Sequence, residues 1–154
     1  MTSMQGQEWV VDTGVLATTA DNQDAQYLDA VGLLNSILIS HYIALDNQYK
    51  IQNEYHRNIA NNSYAQRWFQ VMISRSDKIV WRDGQLPNRH VNALVGRLKF
   101  DRDDLAFVAV ASKGATKQLV SKDSDYNEPV NEYLKDELGV TVYQIEDARI
   151  RAEQ

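Results

Sequence analysis

Trp9-Val10-Val11-Asp12-Thr13 is an apolar run that stops on a carboxylate. Two other stretches share this character. Asp103-Asp104-Leu105-Ala106-Phe107-Val108-Ala109-Val110-Ala111 starts an apolar run from acids, and Leu119-Val120-Ser121-Lys122-Asp123 ends one on an acid. The runs do not alternate with polar residues, so strands made from them are buried on both faces, as in a parallel sheet covered by helices. A carboxylate at the margin of such a core is costly unless a cation, a donor or a helix N-terminus serves it. Three such acids without a matching set of Arg or Lys imply one acidic pocket, most simply a divalent-metal site.

Working outward, residues 8–12, 41–45, 117–121 and 140–145 read as strands, and the segments between them as helices. Tyr27, Leu28, Val31, Leu34, Ile37 and Leu38 mark a helix over 23–39, with Asp21 or Asn22 as its cap. Helices are also expected over 47–60, 63–74, from Pro87 to about 99, 102–113 and 128–138. Gly14 permits a turn after the first strand, and Gly114 and Gly139 close helices. The stretch 75–86, with Ile79-Val80-Trp81 between charges, has no clear assignment. The fold class is therefore α/β, a three-layer α/β/α sandwich around a mostly parallel sheet. A chain of 154 residues suits one domain. Residues 1–7 and 148–154 are expected to fray.

Apolar residues make up 44% and charged residues 24% of the chain, an ordinary globular composition. Without cysteine there can be no disulfide, thiolate zinc site or cysteine nucleophile. No apolar run approaches the roughly 20 residues that cross a bilayer, and the polar start lacks a signal core, so a cytoplasmic location with no membrane partner is expected. The net charge of −5 argues against nucleic-acid binding through a simple basic surface. Bound metal ions could still cancel the negative charge locally.

In open parallel sheets, ligands bind beyond the C-terminal strand ends. Asp12 ends the first strand and Asp123 follows the third, so both emerge on the same edge. Either alone is equally well a turn residue. Asp101, Asp103 and Asp104 open the most apolar helix, where acids complement the helix dipole. Asp104, however, shares a stripe with Phe107, Val108 and Ala111, and neighbouring Asp103 could exchange roles with it. Glu54 likewise falls on the stripe of Ile51, Tyr55, Asn58 and Ile59, with Lys50, Asn53 and Arg57 turned outward. Asp46, at a strand end, competes with Glu54 as second acid, its plainer role being to cap the next helix.

These residues carry a resemblance. Val10-Val11-Asp12-Thr13-Gly14-Val15-Leu16 resembles the opening of a PIN domain, whose first strand usually ends Asp-Thr-Asn. Asp104 followed by its Ala-rich run, and Leu119-Val120-Ser121-Lys122-Asp123-Ser124-Asp125-Tyr126, are similar to two later motifs of that family, in the same order. Ile51-Gln52-Asn53-Glu54-Tyr55 looks like the Ile-x-x-Glu-Tyr helix of one bacterial and archaeal branch. The resemblance implies a metal-dependent endoribonuclease. Its catalytic acids would be Asp12, Glu54, Asp104 and Asp123. Asp12, Asp104, Asp123 and Asp125 would hold Mg²⁺ or Mn²⁺, and Thr13, Ser121 and Asp103 would support them. RNA would be the substrate, with an antitoxin protein or a second copy of the chain as possible partners. Gly14 replaces the usual Asn, and residues 60–100 match none of the family's motifs. An alternative reading is a PIN-like module that holds RNA or protein without cutting it.

Arg57, Lys122 and Arg102, with Arg97 and Lys99, are candidate phosphate contacts, although solvated surface is the plainer reading of each. Tyr126, Trp81 and Trp68 are candidates for base stacking, Trp68 fitting the core better. His41, His56 and His90 lack metal-ligand spacing and read as structural.

Overall fold

A computed structural model describes residues 6–154. Five parallel strands form one sheet: β1 (Glu8–Val11), β2 (Tyr42–Asp46), β3 (Ile79–Arg82), β4 (Gln118–Val120) and β5 (Thr141–Tyr143), in the order β3-β2-β1-β4-β5. Every residue of β1, β2 and β4 is buried. The expected α/β/α sandwich is therefore the observed architecture. Residues 1–5 of the segment expected to fray lie outside the described residues. Gln7 is anchored, donating its backbone N–H to His41 Nδ1 at 2.8 Å.

The sheet grows one way from β1 through β2 to β3 and the other way through β4 to β5, so the order reverses between β1 and β4. Such a switch point opens a crevice at the C-terminal strand ends. Asp12 and Ser121 lie just past the ends of the two strands that flank it.

Helix α1 (Thr13–Thr18) follows β1 directly and contains Gly14, where the sequence suggested only a turn. Helix α2 (Tyr27–Ser40) starts later than expected. Its buried face is Ala30, Leu33, Leu34 and Ile37, while Leu28 is exposed. Asp21 caps no helix, its carboxylate accepting the N–H of Gln23 in a preceding turn. Helix α3 (Lys50–Asn58) buries Ile51 and Tyr55, and α4 (Tyr64–Ile73) is capped by Ser63, whose Oγ accepts the Gln66 N–H. Between β3 and β4 come α5 (Asn88–Val91), a π-helical turn over Asn92–Arg97, a 3₁₀ turn over Arg102–Asp104 and α6 (Leu105–Ser112). Helix α7 (Glu128–Leu138) is capped by Asn127 and closed by Gly139 at φ +71°, a conformation that glycine adopts without a Cβ penalty.

One unassigned stretch is resolved and one expectation needs correction. The unassigned 75–86 stretch contains β3, paired along β2 from Ile43↔Ile79 to Asp46↔Arg82. The C-terminal segment does not fray. It forms α8 (Ile145–Glu153), which buries Ile145, Ala148 and Ala152 and packs on α2. No helix among the described residues is long and apolar enough to cross a membrane.

Helix α6 packs across β1, β2 and β4 with Ala106 to Ala111 all buried, which fixes its first turn against the crevice. Helix α3 is positioned by Asp46. The fully buried Asp46 carboxylate accepts the backbone N–H of Lys50 at 2.9 Å and of Ile51 at 2.8 Å, closing two otherwise unsatisfied donors. Asp46 therefore serves α3 rather than the crevice. Replacing it with Ala should cost about 0.5–2 kcal/mol, the usual loss for a removed cap, measured by denaturant unfolding, and should leave the chemistry of the crevice unchanged.

Candidate metal centre

Four acids from four parts of the chain meet at the crevice. Asp12, Glu54, Asp104 and Asp123 line one cleft together with Thr13, Gly14 and Asn58. Asp12 follows β1, Glu54 is on α3, Asp104 precedes α6 and Asp123 follows β4. None of the four forms an ion pair among the described residues.

Hydrogen bonds hold three of the four acids, Asp12, Glu54 and Asp123. Asp12 caps α1, with Oδ1 accepting the Thr13 N–H at 2.8 Å, and its Oδ2 accepts the Ser121 hydroxyl at 2.6 Å. Ser121 Oγ in turn accepts the Asp123 N–H at 2.9 Å, and Asp123 Oδ1 accepts the Asp125 N–H at 2.9 Å. Asp125 Oδ2 accepts the Asp101 N–H at 3.2 Å. A chain of hydrogen bonds thus links the end of β1 to the entry of α6. On the far side, the Thr13 hydroxyl donates to Glu54 Oε2, and the buried Tyr55 hydroxyl donates to the carbonyl of Val11. Thr13 and Ser121 thus each donate a hydroxyl to a carboxylate of the cleft.

The charges are strained. Burial pushes the Asp12 carboxyl above its ordinary value, aided by the nearby Asp123 and Glu54 charges and opposed by the hydrogen bonds from Ser121 and Thr13. Asp104 is raised from 3.8 to about 7, first by burial and then by the charges of Asp12, Asp123, Asp101 and Glu54. These are the effects expected of like charges gathered in a partly desolvated site.

Asp103 does not exchange with Asp104. It is exposed and lines a neighbouring cleft with Lys50, Arg57 and Glu54, and its side chain bonds none of the four acids. Asp125 reaches Asp104, and their carboxylates lie with that of Asp101 within 4.8 Å of one another. The sequence reading assigned Asp101 only to dipole complementation, and it does cap the 3₁₀ turn by accepting the Asp103 N–H. Its approach to Asp104 and Asp125 depends on how the 123–126 loop returns, which no local spacing reveals. Tyr126 is not a surface stacker. It is buried with its ring on Phe100 at 5.2 Å, and its hydroxyl has no hydrogen-bond partner among the described residues.

The basic candidates divide. Arg57 lines the cleft next to Glu54, and Arg102 lines the one beyond it. Lys122 instead turns to Thr18 Oγ1 at 3.1 Å and Asp24 at 3.4 Å. Trp68 is core, with Nε1 donating to the Leu34 carbonyl at 2.7 Å, whereas Trp81 is exposed. His41 and His90 are buried and hydrogen-bonded, to Ala152 O and to the Tyr133 hydroxyl respectively. His56 packs on Phe69.

The oxygen-only donor set fits a hard cation such as Mg²⁺ or Mn²⁺ and does not fit the softer ligand preference of zinc. Asp12, Asp104 and Asp123 are cleft carboxylates that could hold it, and Asp101, Asp104 and Asp125 are the group whose oxygens lie within 4.8 Å of one another.

The raised Asp104 carboxyl makes the metal-free protein pH-sensitive. The folded state takes up this proton near pH 7 and the unfolded state only near 3.8, so the contribution is full at low pH and is lost as pH rises through that window. The metal-free melting temperature should fall between pH 5 and pH 7, and Asp104→Asn should flatten that slope. An equal slope in the variant would mean that Asp104 carries no excess charge strain.

No family model matches the chain, and no curated protein matches it.

Proposed function

We propose that the protein is a metal-dependent endoribonuclease of PIN type. The observation that carries this reading is the convergence of Asp12, Glu54, Asp104 and Asp123 on one cleft at the sheet's switch point, with no ion pair to neutralise them. The motifs around Asp12, Glu54, Asp104 and Asp123 supply the choice of RNA phosphodiesters as substrate.

A bound Mg²⁺ or Mn²⁺ would supply positive charge for the scissile phosphate and a water of lowered pKa. The chain's own residues do the rest. Asp12 presents a carboxylate fixed by Thr13 and Ser121, so it has little freedom to lose when it binds a ligand. Burial and the neighbouring carboxylates raise the Asp104 carboxyl to about 7, and a bound cation would favour its ionised form. Glu54 stands outside the Asp12–Ser121–Asp123 chain, held by the Thr13 hydroxyl, and its role is to orient the attacking water and accept a proton from it.

The test is cleavage of end-labelled RNA in Mn²⁺. Asp12→Asn should abolish cleavage while leaving metal-free stability unchanged or raised, because it removes like-charge repulsion. Glu54→Gln should slow cleavage by at least about tenfold without changing stability. RNA bound but uncut by the wild type under all divalent conditions would replace this reading with that of a non-cutting PIN-like binding module.

A further inference from the structure

The acidic cleft is one end of a longer groove. It shares Glu54 with a second cleft that is also lined by Lys50, Arg57 and Asp103. The second shares Lys50 and Ala106 with a third, lined by Gln85, Asn88, Arg102 and Leu105. Charge changes along this line, from carboxylates alone, through mixed charge, to a segment whose charged lining is only Lys50 and Arg102. Lys50, Glu54 and Arg57 are spaced i, i+4 and i+7 on α3, so the two cations flank Glu54 by one turn on each side. Among the described residues Lys50, Arg57 and Arg102 form no salt bridge.

An exposed aromatic pair adjoins lining residues of the far segment in sequence. Tyr49 and Trp81 meet edge to face at 5.5 Å and are 55% and 40% exposed. Tyr49 immediately precedes Lys50 and has φ +64°, a left-handed conformation uncommon for a bulky residue, in the turn that carries the chain from β2 into α3. Trp81 lies on edge strand β3, just before Gly84 and Gln85 of the groove wall, and Gln48 ties the two turns by bonding Asp83 and Gly84. Exposed rings beside unpaired cations and amide side chains match the demands of a single strand, whose phosphates need positive charge and whose unstacked bases need a flat apolar face.

We infer that the groove binds single-stranded RNA from the acids past Lys50 and Arg57 towards Arg102, with Tyr49 and Trp81 as its base-stacking subsite. This rests on the nuclease reading for its ligand, but it makes a separate claim about where affinity resides. Duplex RNA, whose bases are already stacked, gains nothing from the aromatic pair.

The test measures binding of a labelled single-stranded oligoadenylate to the Asp12→Asn protein, which keeps the groove and does not cut. Tyr49→Gly removes the ring at a backbone conformation glycine adopts freely, so it is the variant least able to perturb folding. Tyr49→Gly and Trp81→Ala should each weaken binding by at least about fivefold, and Trp81→Phe should retain it. Lys50→Ala should weaken binding and lower the salt dependence by about one counterion. In the cutting protein Tyr49→Gly should raise KM with little change in kcat. Unchanged affinity in Tyr49→Gly and Trp81→Ala, equal losses for duplex and single strand, or no binding to the Asp12→Asn protein would overturn the subsite. Loss of affinity in these variants, in a protein that never cuts, would uphold the subsite and reject the nuclease reading.

Discussion

Asp12 donates its backbone N–H to the carbonyl of Val120 at 3.0 Å and accepts the hydroxyl of Ser121. This joint between β1 and β4 is the constraint on which the site depends. The sheet order reverses there, so no helix covers the crevice directly, and the chain leaves both strands towards the same edge. The buried apolar residues of α6, packed across β1, β2 and β4, then fix the start of that helix, which Asp104 precedes. Asp46 performs the corresponding task for the start of α3.

Folding therefore brings like charges together without neutralising them. The apolar contacts that build the sheet and α6 bear that cost in the metal-free state. The raised Asp104 and Asp12 carboxyls express the same frustration that a divalent cation would relieve. A cap, by contrast, makes its hydrogen bonds inside the fold. Asp46 is fully buried yet serves only backbone donors, which separates a structural acid from those of the cleft.

Much of this was legible in the sequence because it is encoded locally. Strand ends marked Asp12 and Asp123, and helical stripes marked Asp104 and Glu54. Strand β3 escaped notice because it lies at the sheet's edge, where Val80, Trp81 and Arg82 remain partly exposed and Ile79 alone is buried. Helix α8 was hidden by its charges, since only Ile145, Ala148 and Ala152 face α2 and two of those are alanines. Asp101 and Tyr126 could not be placed because the return of the 123–126 loop, through the Asp101–Asp125 bond and the Phe100–Tyr126 contact, determines both. Lys122 looked free but found Asp24 and Thr18, far away in sequence.

The central claim is that the cleft acids form a binding site for a divalent cation. Its most direct measurement is the melting temperature of the protein at pH 7 during titration with Mn²⁺. Binding to the folded state alone contributes RT ln(1 + [L]/Kd), about 2.7 kcal/mol at a hundredfold excess over Kd. The account predicts a saturable rise with Mn²⁺ that is absent from Asp12→Asn and Asp104→Asn. A wild-type melting curve unmoved by millimolar Mn²⁺, or an equal rise in both variants, would contradict it.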